Sequence, residues 1–232
     1  MATLTWLGHS AFRLESDAGR RIYIDPWLSG NPKTPEHERD PERVDIIAIT
    51  HGHSDHVGDA VALSQSFPQA PVVCQVELKG WLGGKGAAVA EQLPGLNKGG
   101  SQEIEGIRFS LVNAFHSSSS DAGEYLGESC GLVIRLEGGT TVYFAGDTCV
   151  FGDMALIARL HSPDLVVLPI GDHFTMGPRE AAVALELLGN PACVPCHFGT
   201  FPLLAGTPEQ LAAAAPDALV HRLEPGGSVE LG

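Results

Sequence analysis

The sequence predicts an α/β protein of two β-sheets packed face to face with helices outside, and three observations carry that expectation. Short β-branched or alternating runs recur along the chain, helical periodicity lies between them, and neither a Pro/Ser-rich linker nor a low-complexity tract interrupts the succession. With 232 residues, 44% of them apolar and 18% charged, the chain suits one large domain over residues 1–232 and is too apolar to stay disordered.

Strands are expected at residues 3–7, 11–15, 21–24, 45–49, 72–76, 107–114, 131–136, 141–144, 165–169, 192–195 and 228–231, where β-branched, aromatic or alternating apolar residues gather. Helices are expected at 57–67, 77–82, 153–160, 178–188 and 208–215. Pro178 and Pro208 fit the first helical turn, where the missing N–H has no partner to lose. Thr207 ahead of Pro208, with Gln210 three residues on, has the spacing of a capping box, and Gly189 is the stop signal of the helix that opens at Pro178. Residues 83–100 hold six glycines and follow no period, which marks a mobile loop or insertion. Gly83-Gly84-Lys85-Gly86 lacks the gap and the following Ser or Thr of a phosphate-binding loop.

Fourteen Lys and Arg against 28 Asp and Glu give a net charge of −14. Ten basic residues face 14 acidic ones over residues 1–116, and four face 14 over the remainder. Affinity for nucleic acid comes largely from basic side chains neutralising phosphates, so a nucleic-acid partner is disfavoured. No apolar run approaches the roughly 18–20 residues of a membrane span, so no membrane partner is expected. Residues 1–12 lack the succession of an export signal, and the protein is expected in the cytoplasm. Five cysteines, Cys74, Cys130, Cys149, Cys193 and Cys196, are odd in number and irregular in spacing, which fits reduced, buried thiols.

The histidines carry most of the functional information. Thr50-His51-Gly52-His53-Ser54-Asp55-His56 follows the apolar run 46–49, so four metal-competent side chains leave a strand end within six residues. His51 and His53, two apart, share one side of an extended backbone. His116 follows 110–115, Asp147 follows 142–146 and His197 follows 193–196, each at the end of an apolar strand. Open α/β sheets build their sites at such carboxyl ends. Imidazole suits Zn, Fe and Mn, and carboxylates the harder end of that series. Five imidazoles and two carboxylates exceed the needs of one tetrahedral ion and suit two ions sharing a bridge.

These stretches resemble the metallo-β-lactamase superfamily, whose ligand motifs match His51, His53, Asp55, His56, His116, Asp147 and His197 in order. Leu7-Gly8-His9-Ser10-Ala11-Phe12, Ile24-Asp25-Pro26, Asn97-Lys98-Gly99-Gly100, Ala145-Gly146-Asp147-Thr148 and His197-Phe198-Gly199-Thr200-Phe201-Pro202 further resemble its small stand-alone metal-dependent hydrolases, a subgroup related to ascorbate-phosphate lactonase. The likeness spans essentially the whole chain. It implies a four-layer αββα sandwich with metals in a cleft at one edge of the sheets. It also implies that His51, His53 and His116 hold one divalent ion and Asp55, His56 and His197 the other, with Asp147 bridging; zinc is expected, with Mn and Fe the alternatives. A homo-oligomer is in keeping with it, since relatives often assemble. The secreted antibiotic-degrading branch has a cysteine at a second-metal position and an export signal, and the flavin-linked di-iron branch an acidic residue at the place of His53; this chain has none of these.

Two divalent ions roughly 3.5–4 Å apart hold a hydroxide between them and so provide a nucleophile at neutral pH. Set against Asp55, Asp147 and that hydroxide, the ions leave the cleft at about +1, a positive pocket in an acidic protein. The expected substrate is therefore a small anionic ester, lactone or phosphoester. His173, directly after the strand at 165–170, is the candidate acid for the leaving group, and Asp55 and Asp147 complete the catalytic set. His9 and Asp25 are expected to steady ligating side chains from behind. Three other readings compete: a metal-dependent nuclease or phosphodiesterase, a metal-binding protein without turnover, and a haem, redox or zinc site on Cys193-Val194-Pro195-Cys196-His197. The acidic charge counts against the first; the haem site leaves four histidines unexplained.

Overall fold

Neighbouring strand residues divide between different hydrophobic cores in the computed structural model, which describes residues 1–232. In chain order the elements are β1 (Ala2–Gly8), β2 (Ala11–Glu15), β3 (Arg21–Ile24), β4 (Ile46–Ala48), α1 (Ser54–Val57), α2 (Ala60–Ser66), β5 (Val72–Val73), α3 (Val76–Gly84), β6 (Ser101–Ile104), β7 (Ile107–Asn113), β8 (Cys130–Arg135), β9 (Thr141–Phe144), α4 (Met154–His161), β10 (Leu165–Pro169), α5 (Pro178–Leu188), β11 (Ala192–Cys196), α6 (Pro208–Ala214) and β12 (Ser228–Leu231). One six-stranded sheet has the order β12-β1-β2-β3-β4-β5, the other β11-β10-β9-β8-β7-β6.

Ile22, Ile24, Ile46 and Ala48 of the first sheet meet Val142, Phe144, Leu165 and Val167 of the second in the core between them. Their alternate neighbours Tyr23 and Ile47 join residues of α2 and α3 outside the first sheet. Tyr143 and Val166 join residues of α4, α5 and α6 outside the second. Strands covered on both faces have no side to give to water, which is why β4, β9 and β10 are continuous apolar runs. The four layers are those of the αββα sandwich.

Strand direction places the site. β3, β4 and β5 are parallel, and so are β9, β10 and β11. The antiparallel pairs β1–β2, β2–β3, β7–β8 and β8–β9 return β1 and β7 to those same directions. The carboxyl ends of β1, β3 and β4 thus gather on one edge of the first sheet, and those of β7, β9, β10 and β11 on one edge of the second.

Several local expectations need correction. The helix expected at 57–67 is broken into α1 and α2 at Gly58, where φ is 43° and a Cβ would stand 2.3 Å from the Trp27 Cα. Strand β6 falls inside no expected strand; it is only partly buried and owes its existence to pairing with β7. The stretch after α3, expected to be mobile, is tied down. Gln92 accepts from the Val72 N–H at 2.8 Å and donates to the Ala70 carbonyl at 3.1 Å, and the Lys79 ammonium donates to the carbonyls of Val72 and Leu93. The capping box of Thr207 and Gln210 is present, and Gly189 ends α5 in the left-handed conformation. All five cysteines are free; Cys149 is exposed and the rest are buried. Cys193 and Cys196 face different cores across β11, so they do not converge on one ion or haem. No helix is long and apolar enough to cross a membrane.

Gly171, just past β10, packs so closely on the end of β11 that a Cβ would lie 2.0 Å from the His197 carbonyl oxygen. Gly171→Ala is therefore expected to cost roughly 1–3 kcal/mol, as overpacking does. In calorimetry of the metal-free protein that is a fall in Tm of about 3–10 °C; an unchanged Tm would contradict so close an approach.

Candidate metal centre

Six strand ends deliver the site. His9 follows β1, Asp25 follows β3, and Thr50 and His51 follow β4, with His53 leading into α1, which carries Asp55 and His56. His116 lies beyond β7, Asp147 beyond β9, and His197 directly after β11. His9, Asp25 and His197 have left-handed backbones, with φ of 55°, 46° and 53°, and Asp172 and His173 beyond β10 add 65° and 58°. Five of the eight such non-glycine residues thus stand at these strand ends. Each costs of order 1–3 kcal/mol and persists only where its surroundings impose it, and such strain clusters at functional sites.

The seven side chains expected to bind metal are brought together. The ligand atoms of His51, His53 and His116 lie within 4.8 Å of one another, as do those of His9, Asp55, His56 and His197, and those of His51, His56 and Asp147. Asp147 stands between these groups. Its Oδ1 is 3.3 Å from His56 Nε2, and its Oδ2 is 3.2 Å from His197 Nε2 and 3.6 Å from His116 Nε2.

A buried layer behind them sets their orientation. Asp25 Oδ1 accepts from the Thr50 N–H at 2.8 Å, while Oδ2 accepts from the Thr50 hydroxyl and from His56 Nδ1, each at 2.7 Å. Having donated its own proton to Asp25, the Thr50 hydroxyl accepts from His51 Nδ1 at 3.0 Å. The network thereby keeps a proton on Nδ1 of both imidazoles and turns Nε2 toward the cluster, the atom that ligation uses. His9 supports a carboxylate rather than an imidazole: Nε2 donates to Asp55 Oδ2 and Nδ1 accepts from the Thr200 hydroxyl, both at 2.9 Å.

Burial and mutual charge move the protonation equilibria in opposite directions. Burial lowers His9 to about 4, so it is neutral near pH 7. Burial and the neighbouring His56 hold His51 well below the ordinary imidazole value. Desolvation also works against charge on His56, but Asp147, Asp25 and Asp55 outweigh it and raise this group well above its usual value. His197, desolvated too, is raised to about 9 by the adjoining Asp147. Asp147 is opposed by its burial yet held far below the usual carboxylate range by His197 and His56; Asp55 is lowered as well, mainly by His56.

Two atoms of this cluster ask for a cation. His56 Nε2 and Asp147 Oδ1 are buried without a hydrogen-bond partner, although they approach to 3.3 Å. Leaving a buried polar atom unsatisfied costs about 1–3 kcal/mol. His51 Nε2 and His53 Nδ1 face each other at 3.0 Å, and with Nδ1 of His51 protonated its Nε2 accepts from His53 Nδ1. A divalent ion would give His56 Nε2 and Asp147 Oδ1 a partner, and the imidazole and carboxylate donors fit Zn, Mn or Fe.

The cluster opens into a cleft of about 460 Å³, where Asp55, His116, Asp147 and His197 share the lining with Trp27, Phe174 and Phe201. His173 is exposed and does not line this cleft. The two left-handed residues Asp172 and His173 form a tight turn, closed by the Phe174 N–H donating to the Asp172 carbonyl at 2.6 Å, and the neighbouring Phe174 takes the place in the cleft. Sequence reasoning also gave no role to Thr50, Thr200, Trp27 or Phe201. Thr50 stands inside the histidine motif, but its function depends on Asp25, which a different strand supplies.

A family profile described as the beta-lactamase superfamily domain matches residues 20–198. The UPF0173 metal-dependent hydrolase of Herpetosiphon aurantiacus is 49% identical over 213 residues, covering 90% of this chain and 88% of its own length. That of Koribacter versatilis is 46% identical over 227 residues, covering 96% and 95%. Among solved structures, Igni18, a metallo hydrolase of the archaeon Ignicoccus hospitalis, superposes with a TM-score of 0.85 at 34% identity, over 98% of this chain and 97% of that one.

Removing the carboxylate behind two imidazoles should loosen metal without dissolving the fold. Asp25→Ala is expected to weaken zinc binding about 10–100-fold in competition with a chromophoric chelator; an unchanged affinity would remove Asp25 from the support layer. Because His56 and His197 are protonated near neutral pH in the metal-free protein and must lose those protons to ligate, zinc affinity should climb as pH rises toward about 9. Calorimetric titration in buffers of different ionisation enthalpy reads the released protons; a flat affinity from pH 6 to 9 would be the contrary result.

Proposed function

The chain belongs to the beta-lactamase superfamily and, within it, to the UPF0173 metal-dependent hydrolases, and from that premise we propose that it hydrolyses a small ester, lactone or phosphoester with the help of two divalent cations. Zinc is the first choice, with Mn and Fe as alternatives. The observation that carries this reading is the position of Asp147, a buried carboxylate with His56 Nε2 near one oxygen and His197 and His116 Nε2 near the other. His51, His53 and His116 would hold one cation and Asp55, His56 and His197 the second, with Asp147 shared between them. Bound there, the ions supply Lewis acidity, which lowers the pKa of water toward neutrality and polarises the oxygen of a scissile group.

The remaining chemistry falls to the chain. Asp55 is ionised, partly exposed to the cleft, and held through Oδ2 by His9, while its Oδ1 makes no hydrogen bond. That oxygen is free to orient the attacking water by accepting a hydrogen bond from it. His173 does not line the cleft; its ring packs edge-on against Phe174, which does. His9, neutral and donating, fixes the carboxylate without adding a competing charge.

Lys and Arg are absent from the cleft lining, so an anionic group of the substrate has only the cations to meet, and an extended polyanion would find no further partner. Both sheets contribute ligands, which makes residues 1–232 one functional unit. Five unpaired thiols suit a reducing compartment such as the cytoplasm.

Elemental analysis of the zinc-loaded protein should find about two ions per chain. Asp147→Ala and His56→Ala should each bind less and lower turnover by at least about 100-fold. Their far-UV circular dichroism should match the parent, since none of the three hydrophobic cores includes a ligand residue. Unaltered metal content in both variants would defeat the assignment.

A further inference from the structure

Three aromatic side chains share the cleft with the histidine and aspartate cluster: Trp27, Phe174 and Phe201. Trp27 and Phe201 stack with ring centroids 6.1 Å apart and planes 28° apart, and the buried His9 ring packs edge-on against both, at 5.3 and 5.7 Å. Phe174 follows the two left-handed residues Asp172 and His173. Strain of that kind needs a reason, and its result here is an aromatic ring beside the cluster with 52% of its surface uncovered. Phe201 is 40% exposed, whereas Phe198, three residues earlier, is packed in a stack with Trp6. The fold thus covers one phenylalanine of this loop and leaves another open at the cleft.

Charge narrows the occupant. Asp55 and Asp147 are the only acidic groups lining the cleft and no Lys or Arg accompanies them; Lys33 and Arg222 open into one separate hollow and Lys85 into another. A charged substituent remote from the cations would find no Lys or Arg to pair with, only the side chains of Ser54 and Ser117. A flat ring, by contrast, gains both burial and aromatic contact.

We propose that the cleft contains an aryl subsite: the part of the substrate that does not react is an uncharged, planar apolar group held by Trp27, Phe174 and Phe201, with Phe174 the residue that sets this preference. The hydrolytic fate of that substrate rests on the reading of the metal cluster given above; the subsite itself rests on the aromatic side chains.

The test uses zinc-loaded protein, two acetate esters and one unreactive probe. Benzyl alcohol, followed by its effect on tryptophan fluorescence with Trp27→Phe as the control for location, should bind the parent protein. Phe174→Ala should weaken it about five- to tenfold, the size of one lost aromatic contact. The same variant should lower the preference for phenyl acetate over ethyl acetate in kcat/KM by a similar factor while its zinc content matches the parent. In the parent protein, a ring carboxylate, as in 4-carboxyphenyl acetate, should raise KM at least about tenfold over phenyl acetate. Equal losses for phenyl and ethyl acetate in Phe174→Ala, with benzyl alcohol binding unaltered, overturn the aryl subsite while leaving hydrolysis in place. Benzyl alcohol binding that depends on Phe174, with no acetate ester cleaved, supports the subsite and counts against the esterase form of the hydrolytic reading.

Discussion

A carboxylate and two imidazoles, Asp147, His56 and His197, lie almost entirely out of contact with water, and the rest of the site is arranged so that this is tolerable. An isolated ion in such a place costs many kcal/mol, and a buried polar atom without a partner costs less but still a sizeable share of a protein's net stability. The cluster meets this constraint by mutual compensation: Asp147 raises both imidazoles, and they in turn hold its carboxyl far below the usual range. Compensation is incomplete, since His56 Nε2 and Asp147 Oδ1 approach to 3.3 Å without either making a hydrogen bond.

The two sheets supply the rigidity that such a cluster needs. Parallel pairing in β3–β5 and β9–β11 sends strand ends to a common edge, and covering helices fix each sheet from outside. The strained backbones of His9, Asp25, Asp172, His173 and His197 sit where those strands stop, each buttressed by neighbours that the sheets hold in place. The Gly171 contact with the His197 carbonyl is one such buttress, and the Asp25–Thr50 pair another. Orientation of the ligands is thus a property of the scaffold more than of the loops that carry them.

Net charge and local charge part company in this molecule. The chain is strongly acidic, yet its cleft combines two carboxylates and three imidazoles with aromatic walls and no Lys or Arg. In the function proposed, attraction of a reacting group is left to the metal, while shape and apolar surface are left to Trp27, Phe174 and Phe201. A resemblance resting on metal ligands says nothing about those walls, because the same ions serve many substrates and the selecting residues lie on the segments between strands.

By itself the sequence determined all the strands but β6, because apolar runs and alternation over a few residues are local and are forced by two buried faces or by one, and it determined the ligand-type residues, because His and Asp at successive strand ends are visible one segment at a time. The αββα layering and the convergence of His51, His53, Asp55, His56, His116, Asp147 and His197 match what those patterns implied. Tertiary structure alone decided what no local window holds: that Gly58 breaks a helix against Trp27, that β7 recruits β6, that Gln92 and Lys79 anchor a glycine-rich stretch, and that His9 reaches Asp55 across 46 residues. The turn at Asp172 and His173 is the sharpest case, since position along the chain pointed to the imidazole while backbone geometry delivers Phe174 to the cleft. Residue type and spacing report what a segment is able to do; a side chain's partner and direction come from contacts distant in sequence, and these exist only once the two sheets have closed on each other.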